Sequence, residues 1–194
     1  MTRTDHRADL VRSYQHASEL VAGVRTDQLS DPTPCSDFDV AGLVDHLVGA
    51  GWRAAALGRG EPPSGEEFPH VELADAPGQL SRAGEEAEVA WSDDARLVAT
   101  VAMPWGETYS GETLVNMYLT ELAAHTRDLA VATGQVGRLD AGLAQPALDA
   151  ARAMLKPEYR DLMGQGNPYG AEVVVPEDAS DWERFAAFMG RPPA

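Results

Sequence analysis

SGETLVNMYLTELAAHTRDLAVAT, residues 110–133, is the segment from which the architecture of this chain can be inferred. At about 100° per residue, Leu114, Met117, Tyr118, Leu122, Leu129 and Ala132 gather on one side, with Asn116, Ala123 and Arg127 opposite. Gly134 follows as a residue suited to ending a helix. The spacing therefore predicts a long amphipathic helix. Glu121 and His125 break its pattern, because both fall in the middle of the apolar side. Four positions apart, they stand one turn from each other and can converge on one point, and Asp128 lies near the same line. A carboxylate turned toward a core is costly unless it is paired or bound to a metal. Two readings stay open: an imidazole hydrogen-bonded to a carboxylate and nothing more, or a shared cation.

Other segments show the same helical period. Leu10, Tyr14, Ala17, Val21 and Val24 form one stripe over about residues 5–24. Asp31-Pro32-Thr33-Pro34 blocks continuation. A second helix is predicted to begin near Asp37 or Asp39, either of which can cap it, with the stripe Val40, Leu43, Val44, Leu47, Val48, Gly51 and Ala54. Residues 58–70 are a loop by composition. A weaker helix is expected over about 75–91, with Leu80, Gly84, Ala87 and Trp91 on one side. A short strand or extended connector over 96–103 then ends at Pro104-Trp105-Gly106. Beyond residue 134, a helix at about 143–155 and an extended piece at 172–175 precede a last short helix. That helix opens with the capping-box pair Ser180 and Glu183, carries Phe185 and Phe188, and stops at Gly190. Four long helices joined by loops fit an all-α bundle better than any sheet architecture. No internal repeat is visible, and residues 1–194 are expected to form one domain.

His46 offers a third donor. It lies off the main stripe of the second helix, with Gly42, Gly49 and Ala50 at one-turn spacing, which leaves room for a neighbouring helix, a ligand or a metal. Alone it reads as a surface or helix-contact histidine. With Glu121 and His125 it matches the way bundle cores build metal sites, from side chains on facing helices. His46, Glu121 and His125 are therefore the candidate metal ligands. Two imidazoles and a carboxylate suit zinc with an open position, or a facial triad on divalent iron, manganese or nickel.

Charge narrows the partners. The net charge of −16, with 31 acidic against 15 basic residues, repels phosphate backbones and anionic lipid, so neither a nucleic acid nor a membrane is expected as partner. Such acidity is also an ordinary solubility feature. The single cysteine, Cys35, excludes an internal disulfide and a multi-cysteine zinc site. No stretch is apolar for long enough to span a bilayer. The opening MTRTDHRADL has no secretory pattern, so a cytoplasmic location is expected.

Thr33-Pro34-Cys35 followed by Val40-Ala41-Gly42-Leu43-Val44-Asp45-His46-Leu47 resembles the entry to the second helix of the mycothiol-dependent maleylpyruvate isomerase N-terminal domain. TELAAHTRDLAVATG, residues 120–134, is similar to a second signature of that family, and residues 173–191 resemble the tail of its single-domain actinobacterial members. The resemblance covers nearly the whole chain. It implies a DinB-like, up-down-down-up four-helix bundle with additional short C-terminal helices, and it carries the family's metal ligands onto His46, Glu121 and His125. It also implies thiol-dependent transfer or isomerisation, with mycothiol as the thiol and a small-molecule thiol or electrophile as partner. Two departures stand out: Phe38 replaces a usual Trp, and Thr126-Arg127 replaces a usual Gly-Trp before Asp128. The two-domain isomerase also has a C-terminal domain that helps complete its active site. This chain is expected to end before such a domain, which argues against maleylpyruvate isomerisation itself.

Two alternatives stand beside an enzyme: a non-catalytic module that senses or stores a small ligand, and a structural bundle in which Glu121 and His125 only pair. No general base can be named. Arg53, one turn beyond Gly49, is a candidate for the substrate side. Asp128 is expected either to orient His125 as an acceptor or to make a structural hydrogen bond. His6, His16 and Arg127 are expected at the surface, His70 in the acidic loop, and Cys35 as a buried small hydrophobe. Trp52, Trp91, Trp105 and Trp182 read as core or rim packing. A homodimer through helix faces is compatible with the sequence, though no feature points to it.

Overall fold

The computed structural model describes residues 4–63, 68, 70–104, 106–155 and 170–191. Three long helices come first: α1 (Arg7–Val21), α2 (Val40–Arg59) and α3 (Ala76–Ala90). A short helix, α4 (Asp94–Val98), and an antiparallel hairpin of β1 (Thr100–Ala102) and β2 (Thr108–Ser110) lead into the fourth, α5 (Gly111–Ala132). Two more follow, α6 (Ala141–Met154) and α7 (Asp181–Phe188). Caps set these boundaries. Asp39 accepts from the Gly42 N–H to open α2, Ser110 accepts from the Thr113 N–H to open α5, and Ser180 and Glu183 form a reciprocal box at α7. Gly60 and Gly134 turn the chain after α2 and α5 at φ +82° and +72°, a region open to glycine.

Hydrogen bonds and close contacts reveal the helix directions. Ser18, late in α1, donates to the Pro77 carbonyl at the start of α3, while Arg7, first in α1, donates to the Trp91 carbonyl just past its end. These helices are antiparallel. Gly51 faces Ala83 and Gly58 faces Ala90, so α2 and α3 run together. Gln135 and Arg138, just beyond α5, donate to the carbonyls of Leu20 and Glu19 at the end of α1, so α1 and α5 run the same way. The order is up-down-down-up, with α1 and α2 on one diagonal, each packed against α3 and α5. This is the all-α, DinB-like bundle expected.

Tyr14 crosses the centre of the bundle. Its hydroxyl donates to the Gly51 carbonyl at 2.7 Å, and its side chain occupies the space that a Cβ would need at Gly51, 2.9 Å from ring Cε1, and at Gly84, 2.9 Å from its own Cβ. That close approach explains glycines inside two helices, where each costs about 1 kcal/mol relative to alanine.

α5 has a second buried face. Ala123 and Ala124 pack with Leu143, Ala144 and Ala147 of α6 and with Phe185 of α7. The side of α5 expected to meet solvent is covered, and Arg127 is 3% exposed, not a solvated charge. The cause is α6, whose own apolar stripe needs a partner surface. His6 and His16 are likewise buried rather than superficial. His6 pairs with Asp9 at 2.9 Å, and His16 Nε2 accepts the N–H of Asp140, the residue that caps α6. Residues 96–98, expected to be extended, complete α4, because Asp93 accepts from the Ala95 N–H and caps a turn there. Trp91 and Trp182 are buried and Trp52 is partly so; Trp105 lies outside the described residues. No described helix is long and apolar enough to cross a membrane.

Candidate metal centre

α2 and α5 run in opposite directions and meet midway along their lengths. Glu121 and His125 project from one side of α5, as their four-residue spacing requires, and His46 reaches them from α2. The His46 Nε2–H donates to Glu121 Oε1 at 2.8 Å, and His125 Nε2 stands 3.5 Å from the same oxygen. The two imidazoles lie edge to face with centroids 4.6 Å apart. One ligand atom from each of the three residues falls within 4.8 Å of the others. Ligand bonds of about 2.0–2.2 Å separate the donors around a single ion by roughly 3–4 Å, so the cluster fits one divalent cation with little rearrangement. Among the described residues it is the one such group of three donors. His125 is buried, whereas the side chains of His46 and Glu121 are 17% and 22% exposed, which leaves one side of the cluster accessible.

Electrostatics bind the three together. Burial pushes the Glu121 carboxyl up, but the charge on His125 and hydrogen bonds from both imidazoles outweigh it and hold the group below the ordinary carboxylate range. Burial pushes His125 down, yet the Glu121 charge, helped by Asp128, raises it to about 9. Without a metal, a proton on His125 supplies the positive charge that the carboxylate requires.

Aromatic rings wall the cluster. Phe38 lies 4.8 Å from the His46 ring and 6.1 Å from that of His125, and Phe68 stands edge-on to His46 at 5.2 Å. A Cβ at Gly49 would overlap the Phe68 ring, so glycine there seats it. The Arg53 guanidinium covers Phe68 at 4.3 Å, and its charge acts on the Tyr118 hydroxyl. Burial raises the Tyr118 hydroxyl above its ordinary range, against the opposing charge of Arg53.

Asp128 is buried behind His125. Its Oδ2 stands 3.6 Å from His125 Nδ1, too far for a hydrogen bond, and that nitrogen has no partner among the described residues. The strong partner of Asp128 is Arg191, whose Nε donates to both carboxylate oxygens at 2.9 and 2.8 Å; Arg127 Nη1 is 3.9 Å away. His70 joins Asp45 at 3.0 Å and stands apart from the three donors. Cys35 is half-buried, and burial pushes its thiol up, which disfavours the nucleophilic thiolate. Sequence reasoning missed Phe68 and Arg191. A lone phenylalanine in a polar, acidic loop was the available signal for the first; an arginine directly after the helix-stop Gly190 was the signal for the second.

A sequence model of the mycothiol maleylpyruvate isomerase N-terminal domain matches residues 10–130. Two uncharacterized proteins of Mycobacterium tuberculosis, MT0763 and Rv0738, are each 33% identical to this chain over 199 aligned positions. The alignment covers 94% of this chain and 98% of either relative. No solved structure gives a significant match.

Proposed function

The chain belongs to the mycothiol maleylpyruvate isomerase N-terminal domain family, and from that premise we propose that His46, Glu121 and His125 hold one divalent metal for a thiol-dependent transferase or isomerase. Zinc is the first choice for two imidazoles and a carboxylate, ahead of nickel, manganese or iron. The observation that carries the proposal is the convergence of three donors from two helices at a point accessible from one side. A bound ion would supply positive charge there, favouring the thiolate of a low-molecular-weight thiol of the mycothiol kind over its thiol. Glu121 offsets part of that charge. His125, packed on all sides, fixes the depth of the site, while His46 stands at its mouth. Phe38 and Phe68 pack against the His46 ring and lower the polarity beside it, which strengthens electrostatic interactions within the cluster.

A rival has one observation in its favour. The 2.8 Å hydrogen bond from His46 to Glu121 satisfies the carboxylate without a metal, as a purely structural cluster would. Elemental analysis of untagged protein decides between them. Near-stoichiometric metal in the wild type, lost in His46→Ala, supports the proposal. A wild type that retains no metal after exposure to zinc, nickel, manganese or ferrous iron favours the structural cluster. Turnover of electrophiles with mycothiol then distinguishes an enzyme from a module that only binds.

A further inference from the structure

Arg191 lies at the end of the described chain, far in sequence from the three donors, and its contacts lead back to them. Gly190 turns the backbone after α7 at φ +78°, and the Gly170 backbone packs so closely that no Cβ would fit there. The turn sends Arg191 inward. Its N–H donates to the Ala186 carbonyl at 2.9 Å, and its buried side chain grips both oxygens of Asp128. Asp128 in turn places its Oδ2 3.6 Å from His125 Nδ1. An imidazole that gives its Nε2 lone pair to a metal keeps its proton on Nδ1, and a buried N–H needs an acceptor. The position of the Asp128 oxygens is set by Arg191.

We infer that Arg191 is a positioning residue of the metal centre, acting through Asp128 on His125. The inference rests on the metal-binding proposal above. It makes the segment after α7 part of the site's support and not merely a tether between α7 and α5.

The test uses the full chain with cobalt(II) as probe, read by titration and by visible absorption of the saturated protein. Arg191→Met is expected to weaken cobalt binding about ten- to hundred-fold and to shift the visible bands. Asp128→Asn should do the same, and the double variant should bind no more weakly than the worse single one. Arg191→Lys keeps the charge without the planar fork. It should fold and show an intermediate loss, and it carries the test if the Met variant does not fold. A mere tether would lower Tm and leave affinity and bands unchanged; that result, or additive losses in the double variant, overturns the inference. Wild-type protein that takes up no cobalt overturns the metal proposal and this inference with it. Wild type that binds cobalt beside unaffected variants overturns this inference alone.

Discussion

His46 on α2 and His125 on α5 approach the same oxygen of Glu121, at 2.8 and 3.5 Å. One carboxylate oxygen thus gathers two imidazoles from antiparallel helices, and an ion placed among them would bridge α2 to α5.

Metal should therefore stabilise the fold. Zinc at about a hundred times its Kd adds roughly 2.7 kcal/mol to the unfolding free energy of a one-site protein. Thermal unfolding should show a higher Tm with zinc in the wild type and no response in Glu121→Gln. A wild-type Tm indifferent to every metal offered would point to a self-contained polar cluster.

The metal-free cluster should have its own pH signature. With burial opposing and the Glu121 charge prevailing, His125 rises from 6.5 to about 9, so the stability it contributes is complete below pH 6.5 and is lost as pH rises through 9. Glu121 falls from 4.5, burial opposing and the His125 charge prevailing, so its contribution is present above pH 4.5 and is lost below. The cluster should help most between pH 4.5 and 6.5. Metal must displace the His125 proton, so affinity should tighten about tenfold per pH unit from neutrality until that proton is gone near pH 9. Titration calorimetry in buffers of different ionisation enthalpy should count the released proton; an affinity flat with pH would contradict the coupling.

Tyr14→Phe isolates the hydrogen bond at the bundle's centre. The ring still fills the space beside Gly51 and Gly84, and only the hydroxyl's bond to the Gly51 carbonyl is lost. Urea unfolding should show a loss of about 1 kcal/mol with an unchanged slope. An unmoved midpoint would mean that the bond adds nothing net.

Ser180→Ala removes one half of the capping box that opens α7. The cost should be about 1 kcal/mol and largely local. Amide exchange in α7 should accelerate about fivefold while the protected amides of α2 and α3 hold their rates. Equal acceleration everywhere would show instead that α7 unfolds only together with the bundle.

Helix positions are legible in the sequence where a period and a cap agree. Asp39, Ser110 and Ser180 each stand before an apolar stripe, and each caps the helix that follows. The segment at 96–98 shows where composition misleads: RLVATVAM reads as a short strand or extended connector, yet Asp93 caps a turn before β1 can begin. Arg127 and His16 show another limit. Both lie off the stripe that faces the bundle, yet both are buried, and His16 accepts the N–H of Asp140, the residue that caps α6.

Sequence alone settles that Glu121 and His125 share one face and one turn of α5, because helical geometry within four residues leaves no alternative. Folding in three dimensions settles the rest. His46 joins Glu121 across 75 positions and Arg191 joins Asp128 across 63, and no local period encodes either meeting. Their register comes from how close-packed faces interlock, with Tyr14 between Gly51 and Gly84 and Phe68 seated on Gly49, since dense packing admits few ways for such faces to fit.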